Sequence, residues 1–485
     1  MQEPGQGEQP QQGGNRRSEY ATRDLTSGSI PKNLFHLAWP QSVEGSMRVV
    51  DQVADLIWAG FLGTGHLAGI GVSQQFTQMA WTFRNGIDTA QRAMVSRAVG
   101  MGDIPLANHI VWQATTLSGV YFLIVGVFGF IFTETMLRGF GVSESVIDKA
   151  APYMRLQWLG QFGFGFQMLW GQALSASGDT LTPMKATMFS RVLHMGLSPI
   201  FIFGPLGLPE MGLQGAAVGS MVANSCGSLI NLRALLLGRS RLHLRLSDYR
   251  FDPSILWQLI KIGTPAAVNG MERSMAQLIL VRLVTPFGDN ALAAYTVTRR
   301  VEMFSNLGSA GLGMASGIIV GQSLGAGRPE RARETVIWGT AYVLMIKSVF
   351  CAFLFLFPEL FLSLFTRDDE LLDISSKWLR IQILAYLAMG VSQVAMQSFM
   401  TAGATLFPAA VTLITVWCIE LPLSYLFSNE LGLGQYGIAL GISIGTSCRL
   451  LFYVPYFFSG RWLRVKVFSD QHQGPAQPQP ATAGP

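Results

Sequence analysis

Long apolar runs separated by short polar stretches recur along the chain from about residue 33 to residue 460. Twelve such runs can be read, at about 33–62, 67–91, 108–133, 151–174, 183–204, 211–237, 256–284, 290–320, 335–360, 376–402, 406–428 and 434–460. At about 1.5 Å per residue, each is long enough to cross about 30 Å of hydrocarbon as a helix. The pattern predicts an all-α polytopic membrane protein of twelve transmembrane helices. Pro40, Pro199, Pro265 and Pro422 fall inside runs, where a bundle tolerates them if neighbours satisfy the freed carbonyls. The second and eighth runs are the most polar, with Gln74, Gln75, Gln78, Arg84 and Asn85 in one and Arg299, Arg300, Glu302 and Asn306 in the other. Those side chains must face something other than lipid.

The ends are of a different character. Residues 1–28 are rich in Gln, Gly and Pro and are expected to be a disordered lead-in without a signal peptide, and residues 461–485 are expected to be a tail. Between them the reading is a six-helix lobe at 29–237, a linker at 238–255 and a second lobe at 256–460.

Composition agrees with a membrane chain. Of 485 residues 49% are apolar and 13% charged, about half the charge of a soluble domain. Cys226, Cys351, Cys418 and Cys448 have neither the density of a disulfide scaffold nor metal-ligand spacing. The net charge of +5 is read as basic loops at lipid headgroups, with no nucleic-acid partner. Arg92 and Arg97, then Arg239, Arg241, Arg245 and Arg250, then Arg328, Arg331 and Arg333, then Arg461, Arg464 and Lys466 fall on one side. Glu134, Glu144, Asp148, Asp368, Asp369 and Glu370 fall on the other. This asymmetry predicts a multi-pass protein of the cell membrane with both termini cytoplasmic.

The chain also repeats itself. Trp39-Pro40 returns as Thr264-Pro265, Gly63 as Gly288, Leu67-Ala68 as Leu292-Ala293 and Gly100-Met101-Gly102 as Gly325-Ala326-Gly327, all at an offset of 225. GDTLTPM from Gly178 returns as GATLFPA from Gly403, and GLQGAAVG from Gly212 as GQYGIALG from Gly434 at an offset of 222. Two pseudo-symmetric lobes of six helices, inserted in the same sense, are implied.

VADLIWAGFLGTGHLAG at 53–69, RAVGMGD at 97–103, ALSASGDTLTPM at 173–184, GLQGAAVG at 212–219, MASGIIVGQSLGAGRPERARE at 314–334 and GATLFPA at 403–409 occur in order. On these segments the core from about Ile30 to Arg461 resembles the multidrug and toxic compound extrusion (MATE) family. The resemblance implies a twelve-helix antiporter that exports organic, commonly cationic, compounds while protons or sodium ions enter.

Asp51 and Asp55 stand at i and i+4 in the first run, so one helix face presents both carboxylates. An intramembrane carboxylate needs a proton, a cation or a basic partner, and Arg48 is one candidate for Asp51. The resemblance places Asp55 at the family's acidic first-helix position, implicated in cation coupling. In the fifth run, His194 and Ser198 stand where many relatives carry Asn and Asp. A histidine accepts a proton near neutral pH and is a poor sodium ligand, so protons are the expected coupling ion, with sodium second. Glu272, after Pro265, resembles the acidic residue of the carboxy-terminal lobe. Arg273 beside it cannot share its helix face and is expected to pair elsewhere. Arg299, Arg300 and Glu302 form a charged cluster, and Glu420 precedes Pro422. No acidic residue occurs from Lys377 to Thr401.

Candidates for the wall of a substrate cavity are Trp58, Gln74, Gln78, Phe162, Phe166, Gln167, Tyr295, Arg299, Glu302, Gln393, Met396, Gln397 and Glu420, a mixture of aromatic faces, amides and charges. No GxxxxGK[ST] segment is present, so ATP hydrolysis by this chain is excluded as the energy source, and neither a metal cluster nor a catalytic dyad is evident. The expectation is therefore a non-enzymatic, cofactor-free, monomeric antiporter of amphipathic small molecules. A flippase-like exporter of lipid-linked or metabolic substrates and a non-transporting scaffold or sensor remain as alternatives.

Overall fold

The protein is described by a computed structural model covering residues 20–62, 64–139, 144–204 and 210–468, with no side-chain description at 52–57, 59–72, 74, 145, 146 and 149. Among these residues the chain is helical and contains twelve long helices. They are α1 (Ile30–Leu62), α2 (Thr64–Met101), α3 (Ile104–Gly139), α4 (Glu144–Ser177), α5 (Leu181–Phe203), α6 (Leu213–Leu236), α7 (Pro253–Val284), α8 (Asp289–Gly325), α9 (Pro329–Leu356), α10 (Asp369–Thr401), α11 (Leu406–Glu430) and α12 (Gln435–Ser459). Seven of them, α3, α5 and α8 to α12, are long and apolar enough to cross a membrane by length and composition. Exposed faces such as Leu123, Ile124, Ile131, Leu344, Met345 and Val349 carry apolar side chains outward, as lipid requires. α11 loosens into π-helical turns at Ile414–Glu420 and Leu426–Glu430.

Helices overrun the apolar runs at their ends. α2 extends to Met101, so Arg92 and Arg97 are not loop residues: Arg92 is buried and bonds Gln397 Oε1 at 2.6 Å, and Arg97 bonds Val465 O at 3.2 Å. Hydropathy stops a helix at its first charges, but helical hydrogen bonding does not.

The packing follows the repeat. The pairs α2–α3, α2–α4, α3–α4, α4–α6, α5–α6 and α1–α5 recur as α8–α9, α8–α10, α9–α10, α10–α12, α11–α12 and α7–α11. Across the halves, α2 packs on α7 and α1 on α8, again as copies, while α2 and α8 cross each other. Glycines allow the close approach. A Cβ on Gly86 would strike Gly263 O, one on the equivalent Gly311 would strike Ala38 O, and Gly100 and Gly325 lie against the backbones of Gln322 and Arg97. The repeated turns reuse their backbone as well, since Gly102 and Gly327 take φ of 80° and 70°.

At one end of the bundle the connecting segments interlock. Residues 20–28, expected to be disordered, are folded: Ala21 and Leu25 are buried, Tyr20 stacks on His36, and Arg331 donates to Leu25 O, Ser27 O and Gly28 O. Arg328 holds Thr26 O and Arg241 holds Thr22 O and Arg23 O. Few apolar residues are needed when arginines from the turns satisfy the backbone carbonyls. The expected tail is folded through Phe468. Trp462 is fully buried against Phe399 and Phe457, while Val467 and Phe468 enter a cluster with residues of α2 and α3. Asp252 caps α7 by accepting from Ser254 N and Ile255 N. Burial pulls its carboxyl up, but those bonds and His109 outweigh it and hold it below the usual carboxylate range.

Candidate functional site

Two groups of buried charges lie against cavities among the helices. In the first half, α1 and α5 pack together and bring Asp51 to Arg191 and His194. Arg191 Nη1 donates to Asp51 Oδ2 at 2.5 Å, and His194 Nδ1 lies 2.7 Å from Asp51 Oδ1. Because an ionised carboxylate only accepts, that contact places a proton on Nδ1. Arg191 Nη2 reaches on to Asn224 Oδ1 on α6 at 2.9 Å, and Asn224 donates to Ser220 Oγ at 3.1 Å. All of Asp51, Arg191, His194 and Asn224 are buried. Arg48 is not the partner of Asp51; it turns back one helical turn to Glu44 at 2.5 Å. The side chain of Asp55 lies outside the described residues, as does that of Gln74.

Above this cluster lies a cavity of about 320 Å³ lined, among the described residues, by Arg48, Gln78, Trp81, Gln157, Gln161, Phe164, Arg191, Ser220 and Asn224 with their neighbours. That volume is in the range of small organic ligands. Polar groups converge on it from α1, α2, α4, α5 and α6.

The second half has a smaller cavity of about 50 Å³, walled by Arg273, Tyr295, Arg299, Glu302, Gln382, Tyr386, Glu420 and Arg449 among others. It has room for water and not for an organic molecule. Arg299 bridges Glu302 at 2.6 Å, Arg273 approaches the same carboxylate at 3.9 Å as its displacement from Glu272 requires, and Arg449 stands 3.7 Å from Glu420. Glu272 is buried close to Arg449 and Glu420. Arg300 is exposed and outside this network. The two cavities are copies: Arg48, Thr77, Gln157, Arg191, Ser220 and Asn224 on one wall answer to Arg273, Glu302, Gln382, Val416, Ile442 and Thr446 on the other at the repeat offsets.

Of the residues singled out from sequence, Gln78 lines the larger cavity and Tyr295, Arg299, Glu302 and Glu420 the smaller. Others pack elsewhere. Phe162 and Phe166 ring Phe122, and Gln167 is buried with its carbonyl bonded by Asn231. Gln393 lies against Gly313, Met396 packs on the core of the second half, Gln397 is taken by Arg92, and Trp58 stands edge-on to Phe203. Sequence reasoning missed Arg191, Asn224 and Arg449. Each is a charged or amide side chain inside an apolar helix, and asking where its partner must lie would have exposed it.

Comparison with known proteins gives the same architecture. The sequence profile of the family described as MatE matches residues 40–200 and again 265–426, two matches that begin at the two copies of the repeat. A probable multidrug resistance protein, YoeA of Bacillus subtilis (strain 168), is 24% identical over 440 residues, covering 90% of this chain and 95% of that protein. An FAD transporter of Shewanella oneidensis (strain ATCC 700550 / JCM 31522 / CIP 106686 / LMG 19005 / NCIMB 14063 / MR-1) is 23% identical over 88% of this chain and 95% of its own. A solved MOP superfamily transporter from Pyrococcus furiosus, described as having a binding pocket of reverse polarity, superposes with a TM-score of 0.85 at 21% identity over 93% of this chain and all of that one. With its buried charge clusters and a ligand-sized cavity between polytopic helices, the chain belongs to the MatE family and is a membrane transporter of small molecules, not an enzyme.

Proposed function

We propose that the protein is a secondary active antiporter that exports amphipathic small molecules in exchange for protons, by alternating access of two six-helix transmembrane lobes. The recurrence of every major helix pairing in the second half, and of the cavity itself, supports the two-lobe reading. The interlocked end carries Arg241, Arg328 and Arg331 and is taken as cytoplasmic, with both termini there and the chain acting as a monomer in the cell membrane.

The observation that carries the proton reading is the Asp51–Arg191–His194 cluster, whose Arg191 lines the larger cavity. A carboxylate shared by a guanidinium and an imidazole changes its hydrogen bonding when one proton is added. Protonation would weaken the hold of Asp51 on Arg191, which already reaches Asn224 and the cavity wall, and so leave its charge free for substrate. Asp55, four residues on from Asp51, and Glu272 in the second half are the further coupling residues in this scheme. Coupling follows if substrate and proton differ in affinity for the two orientations of the lobes.

Organic cations are the first substrates to test. The described walls also favour a second class: Arg48 and Arg191 supply guanidiniums, and Trp81 and Phe164 supply ring faces, a combination suited to an aromatic anion. The flavin transported by one relative is of that class.

The test is substrate flux in proteoliposomes under an imposed proton gradient and then an imposed sodium gradient, with ethidium and FAD as probes and Asp51→Asn and Asp55→Asn beside wild type. Flux driven by protons alone and uncoupled in the variants is expected. Flux with sodium alone would overturn the proton assignment, and unchanged coupling in both variants would overturn the site.

A further inference from the structure

Lys347 lies about two-thirds of the way along α9 with 2% of its surface exposed. Its ammonium donates to Asn306 Oδ1 on α8 at 3.0 Å and to Tyr386 O on α10 at 2.9 Å. Both acceptors are neutral. Among the described residues no carboxylate reaches it; its charged neighbour, Glu302 on α8, is held by Arg299 at 2.6 Å. The other titratable group against it is Cys351 on its own helix; Tyr386, whose carbonyl it holds, turns its hydroxyl to Thr298 O and Gln382 Oε1.

The repeat separates packing from charge at this position. Gly390 opens the space that the Lys347 stem fills, and its copy Gly165 opens the same space for the ring of Phe122, the copy of Lys347. An apolar ring therefore satisfies the packing. The first half places its own cation over that ring, Arg84 at 5.5 Å, and gives it a carboxylate, Asp88, at 2.6 Å. The copies of Arg84 and Asp88 are Ser309 and Gly313. The second half thus has a buried cation in this place without a carboxylate to fix its charge. A buried lysine can exist as a neutral amine, which a buried arginine cannot.

We propose that Lys347 is a second proton-exchanging residue of the transporter, located in the carboxy-terminal half. The inference rests on the proton-antiport reading above. While α8, α9 and α10 are packed as here, Asn306 and Tyr386 O hold the ammonium. When the lobes reorient, the ammonium gives one proton to water in the adjoining cavity, whose wall includes Tyr386 and Glu302, and is left as the amine.

The experiment uses the full chain labelled with 15N-lysine, with Lys347→Met used to assign the Nζ resonance. Across the pH range in which transport changes, the resonance is expected to switch between ammonium and amine. Efflux of ethidium or FAD from proteoliposomes should stop in Lys347→Arg, which cannot release the proton. In Lys347→Met efflux should persist with an altered pH profile. Lys347→Phe, the residue of the other half, checks that the slot folds without the charge. A resonance that stays ammonium throughout, or Lys347→Arg turning over normally, overturns the proposal. Wild-type flux indifferent to the proton gradient overturns the antiport reading itself, and the coupling role of Lys347 with it.

Discussion

Replacing Asp51 by alanine tests whether its carboxylate is the keystone of the first-half cluster. The change removes the acceptor of Arg191 at 2.5 Å and of His194 at 2.7 Å, leaving a guanidinium with 7% of its side chain exposed and a nearly buried imidazole. Breaking a buried pair from one side costs about 3–5 kcal/mol, because the remaining charge keeps its desolvation penalty. Asn224 Oδ1 still accepts from Arg191 Nη2, which places the expected loss at the lower end, about 3 kcal/mol. Removing Arg191 as well takes that orphaned charge away, so Asp51→Ala/Arg191→Ala should be less damaging than the sum of the single changes by about 1–3 kcal/mol. Asp51→Asn, which keeps an acceptor but not the charge, should fall between wild type and alanine. The assay is thermal unfolding of purified protein in one detergent, with the two singles and the double forming a cycle. Additive losses, or a stable Asp51→Ala, would refute the view that the three side chains act as one unit.

Other outcomes follow from the packing and the capped turns. Gly86→Ala should destabilise by about 1–3 kcal/mol, since its Cβ would enter the Gly263 backbone, whereas Gly45→Ala, with open space around it, should be neutral or slightly stabilising in the same melting assay. Arg331→Gln should release residues 20–28, read as faster amide hydrogen exchange there with little change in α9, because Leu25 O, Ser27 O and Gly28 O lose their donor. The carboxyl of Asp252 sits below its unfolded value, so its stabilising effect is present above about pH 4 and is lost as pH falls through the folded pKa. In an acid titration followed by amide exchange at 254–256, Asp252→Asn should remove that acid-sensitive step, and an unchanged step would assign it to another group.

The candidate site was legible in sequence to an uneven degree. Asp51, His194, Glu272, Glu302 and Glu420 stand out because charge inside apolar runs is costly wherever it occurs. Their partners did not, because a helix sequence shows which residues share its own face but not which face of another helix they meet. Phe162, Phe166 and Gln167 have the chemistry of a cavity wall, yet they point into helix contacts around Phe122 and Asn231.

The sequence by itself determined the long apolar helices, the duplication and the turns at Gly102 and Gly327, since these depend on local hydrophobic pattern and on backbone angles that favour glycine. It misjudged residues 20–28, whose order comes from arginines supplied by distant segments, and it did not show that 461–468 fold onto the aromatic rings of Phe399 and Phe457. Only the tertiary structure decided that Arg191 answers Asp51, that the two cavities are copies of unequal size, and that Lys347 fills the slot of Phe122. These depend on which helix faces meet, and close packing of helices decides that through contacts between residues far apart in the chain.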